Sequence, residues 1–400
     1  MELINDDILI HILSFLPFND KMNSKLVCKS WYNINKYIFN NTIIKVNYKQ
    51  LKNNKFKKWY QQHKQIKFEY TNYNEYRINF SLFNLYKTSM YNITIYCNDI
   101  YEIPYEITNL KNLRKLILCG NNFINKIPGF ITQLEYLKIL KLSRNRIITI
   151  PENIGELYNL KHLELDSNEI TYLPESIGKL QNLKYMSLIW NKIAVLPDTI
   201  GNLKNLEILK LKSNQLSKLP ETFGNLKNLT ILDLDNNVIT TLPESFGKLD
   251  KLNCVNLSDN KLYKLPDSFY MLQKLDELRL FKNNLSELPK YFEKLNITYL
   301  QLIANQFEEL PESITCLKKL QILFICSNKI CQIPDTINQM QNLKTLTMMW
   351  NQISVLPDSI GELQNLRCLQ LCHNQISVLP ETIKQLNLIT LHIDNNPITF

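Results

Sequence analysis

The chain has 400 residues, is 45% apolar and carries a formal net charge of +9. That length allows two or three domains, and the apolar content is too high for a disordered polymer. No apolar run is long enough to span a membrane, and Glu2, Asp6 and Asp7 in the opening MELINDDILIHIL are out of place in a secretory signal.

Residues 1–40 predict three short helices. Asn5 caps the first, with Asp6 and Asp7 in its first turn, and Ile8, Ile12, Leu13, Phe15 and Leu16 form its apolar face. Pro17 ends it, Asn19 or Asp20 begins the next, which carries Met22, Leu26 and Val27, and Trp31 and Tyr32 mark a third. So few residues bury their own apolar faces poorly, which points to a partner surface. The runs Ile12-Leu13-Ser14-Phe15-Leu16-Pro17 and Leu26-Val27-Cys28-Lys29-Ser30-Trp31 resemble the I-L-S-x-L-P and V-C-K-x-W elements of the F-box family, at the right separation. The family's opening L-P-x-E is replaced by Leu3-Ile4-Asn5-Asp6, without the proline. The resemblance implies binding to the Skp adaptor of an SCF-type cullin–RING ubiquitin ligase. Leu3, Ile8, Ile12, Leu13, Leu16, Pro17, Val27 and Trp31 would be shared between the small core and that interface. The alternative is a helical cap on the segment that follows.

Residues 41–89 read as a basic connector or N-terminal cap. Residues 1–40 balance four lysines against four acids, residues 41–90 sum to +8, and the remaining 310 carry about +1. Lysines interleave there with Tyr48, Phe56, Trp59 and Tyr60, and residues 49–63 fit one amphipathic helix. Ile66–Tyr70 and Ile78–Phe83 fit irregular first repeats. Basic residues among aromatics can contact nucleic acid, but a solvated helix with packed rings is the plainer expectation.

From residue 90 to residue 400 one sentence recurs. LKHLELDSNEITYLPESIGKLQN (160–182) is followed by LKYMSLIWNKIAVLPDTIGNLKN (183–205), and the pattern L-x-x-L-x-L-x-x-N marks fourteen asparagines from Asn98 to Asn396. The steps are 23 residues, with one of 24 and two of 22. A fixed period of this size means a stacked array. One short strand per unit cannot hide its own leucines, so the units must stack into one continuous core, with parallel strands and right-handed crossovers. The asparagine amide suits a buried turn, because it can satisfy backbone donors and acceptors together. Thirteen prolines, Pro104 to Pro380, recur in phase and most precede an acid, which predicts a short convex-side helix. Gly155, Gly178, Gly201, Gly224, Gly247 and Gly361 follow, where neighbouring units pack closely. The pattern resembles the leucine-rich repeats of intracellular scaffolds. The expected fold class is therefore α/β: a leucine-rich-repeat solenoid of about 14 repeats with a small all-α domain ahead of it.

The residues flanking the inner leucines should project from the concave sheet. In the first half they are charged: Lys141 and Arg144 lie beside Glu164 and Asp166, and Lys210 and Lys212 beside Asp233 and Asp235, predicting cross-strand ion pairs. In the second half Phe281, Tyr299, Ile303, Ile322, Phe324, Met349 and Trp350 predict an exposed apolar surface for a protein partner, with a smaller island at Tyr185, Ile189, Trp190 and Ile208. The last unit ends without a polar cap, leaving Ile398 and Phe400, or a second chain, to cover it.

Catalytic signatures are missing. The eight glycines form no phosphate-binding loop, and there is no nucleophile elbow. His162, Glu164 and Asp166 share a strand face but read as polar surface, as do His373 and His392. Nine cysteines without a C-x-x-C motif read as reduced thiols; Cys368 and Cys372, four apart on one predicted strand, are too distant to bridge. The expectation is a non-enzymatic adaptor without cofactor or metal, at no membrane, cytoplasmic with the nucleus as the alternative, joining the Skp adaptor to an unidentified protein substrate. The rival is a scaffold without ubiquitin chemistry, which by resemblance would bind a small GTPase or a phosphatase. Abundant Asn, Lys, Ile and Tyr suggest an AT-rich genome, such as that of an amoeba or of a giant virus in its host cytoplasm.

Overall fold

The computed structural model describes residues 43–46, 52–54, 57, 67–73, 80–96 and 100–398. The F-box-like residues 1–40, Asn98, Phe400 and most of the helix expected over 49–63 lie outside the described residues. Within that helix, the Lys57 N–H donates to the Asn53 carbonyl at 2.9 Å, a helical bond.

The chain divides after Asn168 into two units. The first holds β1 (Ile43–Val46), β2 (Lys67–Tyr73), β3 (Met90–Tyr96), β4 (Lys115–Cys119), β5 (Ile139–Lys141) and β6 (His162–Glu164). The second holds β7 (Tyr185–Ser187), β8 (Ile208–Lys210), β9 (Ile231–Asp233), β10 (Cys254–Asn256), β11 (Glu277–Arg279), β12 (Tyr299–Gln301), β13 (Ile322–Phe324), β14 (Thr345–Thr347), β15 (Cys368–Gln370) and β16 (Thr390–His392). Within each unit the strands are parallel and adjacent in sequence order. Among the described residues the first strand thus starts at Ile43, inside the segment read from sequence as a basic connector.

Each unit is a leucine-rich-repeat solenoid, and its core is a stack of equivalent leucines. In the second unit Met186, Leu209, Leu232, Val255, Leu278, Leu300, Leu323, Leu346 and Leu369 are all fully buried. Phe223, Phe246 and Phe269 stack at 6.4 and 5.8 Å between centroids on the convex side of that core. Leu391 of β16 occupies the same column but is exposed, and Ile398 beyond it is half-buried.

The asparagines bind one turn to the next. Asn260 Nδ2 donates to the Leu257 carbonyl of its own turn at 3.1 Å and to the Leu234 carbonyl of the preceding turn at 3.0 Å. Its Oδ1 accepts the Ile239 N–H of that preceding turn at 3.0 Å. Asn168, Asn214, Asn237, Asn283 and Asn328 repeat the same three bonds. The residue ahead of each such Asn, from Arg144 to Asn395, has a left-handed backbone with φ between 48° and 59°. The 24-residue step interrupts this ladder. The residue equivalent to Ile239 there is Ile124, and the added residue shifts its N–H off Asn145, while the Phe123 N–H turns back to the Asn121 carbonyl at 2.7 Å. Asn145 Oδ1 is consequently buried without a partner among the described residues.

The short convex helices form where expected, and the structure gives their type. All but one of the described turns are 3-10 helices of three to seven residues; the exception is the α-helical Glu312–Thr315. The 3-10 turns close with i to i+3 bonds, such as Leu203 N–H to the Ile200 carbonyl at 3.1 Å, whereas Glu312–Thr315 closes with the i to i+4 bond of Cys316 N–H to the Glu312 carbonyl at 3.2 Å. The proline stands one residue ahead of the helix, extended, as Pro197 does at φ −68° and ψ 150°. The small residues that follow fasten neighbouring turns. Thr199, Thr222, Ser268 and Thr382 donate hydroxyl bonds of 2.6–2.7 Å to the carbonyl of the acid one turn earlier. At Gly224 the backbones touch, and a Cβ there would lie 2.1 Å from the Ser245 carbonyl oxygen.

Asn260→Ala leaves the Ile239 N–H buried without a partner and takes one of two amide donors from each of the Leu234 and Leu257 carbonyls, which keep those of Asn237 and Asn283, and should destabilise the second unit by about 2 kcal/mol. Gly224→Ala should cost about 2 kcal/mol through overpacking. Urea unfolding read by circular dichroism checks both; an unchanged midpoint in either variant contradicts the role assigned to that residue.

Candidate protein-binding face

Because side chains alternate along a strand, every turn offers one residue on each side of the buried strand leucine to the concave face, and a third just after the next leucine. Stacking places equivalent residues of adjacent turns side by side. In the first column of the second unit Glu277, Tyr299 and Ile322 are neighbours, and in the second column Arg279, Gln301 and Phe324.

The charged stretch in the first unit forms as expected. Lys141 Nζ lies 2.7 Å from Glu164 Oε2, His162 Nε2 lies 3.3 Å from the same oxygen, and Ser143 Oγ donates to Oε1 at 3.1 Å. The His162 ring and then the Lys141 ammonium hold the Glu164 carboxyl down to about 2, against the opposing effect of burial. Arg144 meets Asp166 through the backbone instead, donating its N–H to the Asp166 carbonyl at 2.8 Å. In the second unit Lys212 pairs with Asp235 at 2.6 Å and Lys282 with Asp259 at 2.8 Å. Burial pushes the neighbouring Asp233 carboxyl upward.

The apolar stretch is less exposed than its sequence suggests. Tyr299, Ile303, Ile322, Phe324 and Met349 are half-buried, as are Tyr185, Ile189 and Ile208 in the smaller island; Phe281, Trp190 and Trp350 are exposed. The difference comes from packing within the sheet. Tyr299 and Phe324 meet edge to face at 5.6 Å, and the Arg279 guanidinium lies 5.5 Å from the Tyr299 ring centre while pairing with Glu277. Burial raises the Tyr299 hydroxyl pKa. Trp350 stacks on His373 with centroids 3.6 Å apart, and His373 Nε2 lies 3.1 Å from Asn395 Nδ2. Lys210 reaches over Tyr185, its Nζ 5.9 Å from the ring centre. Arg279, Glu277 and His373 therefore belong to this face, although sequence reasoning left them out; their places in the same columns were the available signal.

Both tryptophans hold unfavourable backbone. Trp190 and Trp350 are 61% and 59% exposed at φ 58° and 57°. A left-handed conformation costs a bulky L-residue about 1–2 kcal/mol, and Ser or Asn fills the same place in other turns. Among the described residues no cluster of three or more His, Cys, Asp or Glu could hold a metal ion, and no helix is long and apolar enough to cross a membrane. The seven described cysteines are free thiols, Cys368 and Cys372 among them, and burial pushes the Cys254 thiol up to about 11.

Family models match along most of the chain. An F-box domain covers residues 1–39, a leucine-rich repeat region covers 128–214 and 200–296, and further leucine-rich repeats cover 112–134 and 365–386. A leucine-rich-repeat protein of Leptospira interrogans is 33% identical with a TM-score of 0.77, over 89% of this chain and 90% of that one. The functional domain of InlJ from Listeria monocytogenes (22% identity, TM-score 0.65, 79% of this chain and 66% of that one) shares the fold. So does a chain of the Toll–Spatzle complex of Drosophila (24%, 0.69, 83% and 47%). No curated protein sequence matches the chain.

Glu164 makes a pH prediction. Its folded pKa is depressed from 4.5 to about 2, so it contributes stability that is fully present above the unfolded value and is lost as pH falls through 4.5 toward 2. Glu164→Gln should lower the stability of the first unit by up to about 3 kcal/mol at neutral pH. The difference from wild type should vanish near the lower limit. A difference that stays constant across an acid titration of the unfolding midpoint refutes the assignment.

Proposed function

Because this chain belongs to the leucine-rich-repeat proteins and carries an F-box at residues 1–39, we propose that it is the substrate receptor of an SCF-type cullin–RING ubiquitin ligase. An F-box joined to such solenoids is a protein-interaction adaptor of non-catalytic type. In the finer reading, residues 1–40 bind the Skp adaptor through Leu3, Ile8, Ile12, Leu13, Leu16, Pro17, Val27 and Trp31. The concave face of the second unit holds a protein substrate, and the reaction takes place in the cytoplasm on a ubiquitin-conjugating enzyme recruited by the ligase.

One observation carries this reading: the F-box match and an aromatic concave face occur in the same chain. Phe281, Trp350 and the half-buried Tyr299, Ile303, Ile322, Phe324 and Met349 supply anchors of the kind that dominate protein interfaces, on a stiff support that loses little entropy on binding. Arg279 adds a cation already held by Glu277. The island of Tyr185, Ile189, Trp190 and Ile208 offers a second contact on the same sheet. Strain at the two tryptophans supports the same view, because a smaller residue would serve the backbone better.

Wild-type chain should capture the Skp adaptor in a pull-down, and Leu16→Ala with Trp31→Ala should lose at least about 100-fold in affinity, as expected when two buried anchors are removed. Tyr299→Ala with Phe324→Ala should keep the adaptor and lose the proteins that co-purify with wild type. Failure of the wild-type chain to bind the adaptor would defeat the ligase reading and leave a plain scaffold.

A further inference from the structure

The lateral face of the second unit, between the ladder asparagines and the Leu-Pro pairs, carries a pattern that the concave face does not explain. In the column just ahead of each Leu-Pro it reads Tyr172, Val195, Lys218, Thr241, Lys264, Glu287, Glu309, Gln332, Val355 and Val378. Val195, Val355 and Val378 are 54%, 68% and 63% exposed, and Tyr172 is exposed as well. Apolar residues therefore sit at both ends of the strip and charged ones in the middle. The sequence is complementary to its own reverse. Reading inward from the two ends, Tyr172 meets Val378, Val195 meets Val355, Lys218 meets Gln332, Thr241 meets Glu309, and Lys264 meets Glu287.

We infer that this strip binds the same strip of a second copy of the chain, about a two-fold axis lying in the interface and passing between the turns of Lys264 and Glu287. Such an axis reverses the order of turns while keeping each column opposite itself, as an isologous dimer requires. Apolar ends meet apolar ends, and each Lys264 meets Glu287 of the second copy. Both side chains are exposed, and no ion pair joins them within one chain although they sit on adjacent turns. The Lys264 Nζ lies 5.9 Å from the centre of the Tyr263 ring.

The neighbouring columns obey the same rule. Trp190 meets Trp350, Lys192 meets Gln352, Gln215 meets Lys329, and Lys261 meets Asn284, with no like charges opposed. At the centre a groove of about 970 Å3, lined in part by Tyr263, Lys264, Glu287 and Lys290, gives the exposed Tyr263 of each copy a place to enter opposite the small Ser286. The acids after the prolines set one edge of the strip, since Asp198 would face Asp358 across the axis. Ten turns at a strand spacing of about 4.8 Å run for about 43 Å, and a strip about 19 Å wide then reaches the ~800 Å2 per partner of a stable interface. The inference is independent of what the F-box or the concave face binds.

Sedimentation velocity of the full chain at micromolar concentration tests it. Wild type should run as a dimer. Lys264→Glu puts carboxylates on both sides of each central contact and Glu287→Lys puts ammonium groups on both sides, so each variant alone should weaken the dimer at least about tenfold. An equimolar mixture of the two restores opposite charges at both contacts and should recover the dimer, which also proves that both variants fold. A monomeric wild type, a dimer indifferent to either reversal, or a mixture that stays monomeric overturns the proposal.

Discussion

Everything else in these solenoids depends on a side-chain amide that serves two turns at once. A parallel stack of short strands leaves the ends of each turn with backbone groups that water cannot reach, and each one left unmet costs on the order of 1–3 kcal/mol. The ladder asparagine meets three of them, two carbonyls and an N–H, shared between adjacent turns. The bonds act across the stack, so they fix the step from one turn to the next as well as the shape of the turn. The close approach of convex backbones at Gly224 and the hydroxyl bonds from Thr199 and its equivalents are possible only because that step is constant. Where one extra residue enters, at the 24-residue step, the amide oxygen of Asn145 loses its donor.

A constant step turns surface positions into columns, and the columns sort interactions by strength. Lys184 with Glu207 and Lys192 with Glu169 are exposed pairs, worth a few tenths of a kcal/mol each and screened by salt. Glu164 is held more firmly, because three groups converge on a carboxylate with limited access to water. The contact of Tyr299 and Phe324 is apolar and little affected by salt. A partner arriving at the concave face gains most where the rings are, while the charged columns determine which partners are repelled.

Much of this was legible in the sequence. The period, the parallel order and the buried leucine columns follow from the spacing of Leu and Asn, and the asparagine amide was read as serving a buried turn; that it also bonds the preceding turn came from the structure. The glycines were read correctly as sites of close packing, since a residue without a Cβ has few other reasons to recur in phase. The short convex helices were legible, but not their type, because proline and acid mark a helix start whether α or 3-10. The hydroxyl bonds were missed because Ser and Thr beside a helix start usually serve their own turn, whereas Thr199 reaches back to Glu175 in the turn before. The concave residues were judged too exposed: a residue list does not show that Phe324 leans on Tyr299, or that His373 lies under Trp350.

In a stack of this kind each turn touches only its neighbours, so a surface column can change without disturbing the core. Lys264 and Glu287 make no bond to the asparagine ladder, and the tryptophans join it only through their backbone, Trp350 donating its N–H to the Cys372 carbonyl at 3.0 Å. The concave columns and the lateral strip lie on either side of that ladder and share no side chain apart from Trp190 and Trp350, which stand at the rim between them. Those two positions are therefore where recognition on one face can influence the other. A ring drawn into a lateral contact would leave the concave rim, and in the case of Trp350 would leave its stack on His373. The left-handed backbone beneath them fixes where each ring is rooted, so any coupling between the two proposed contacts would run through the side-chain torsions of these two residues.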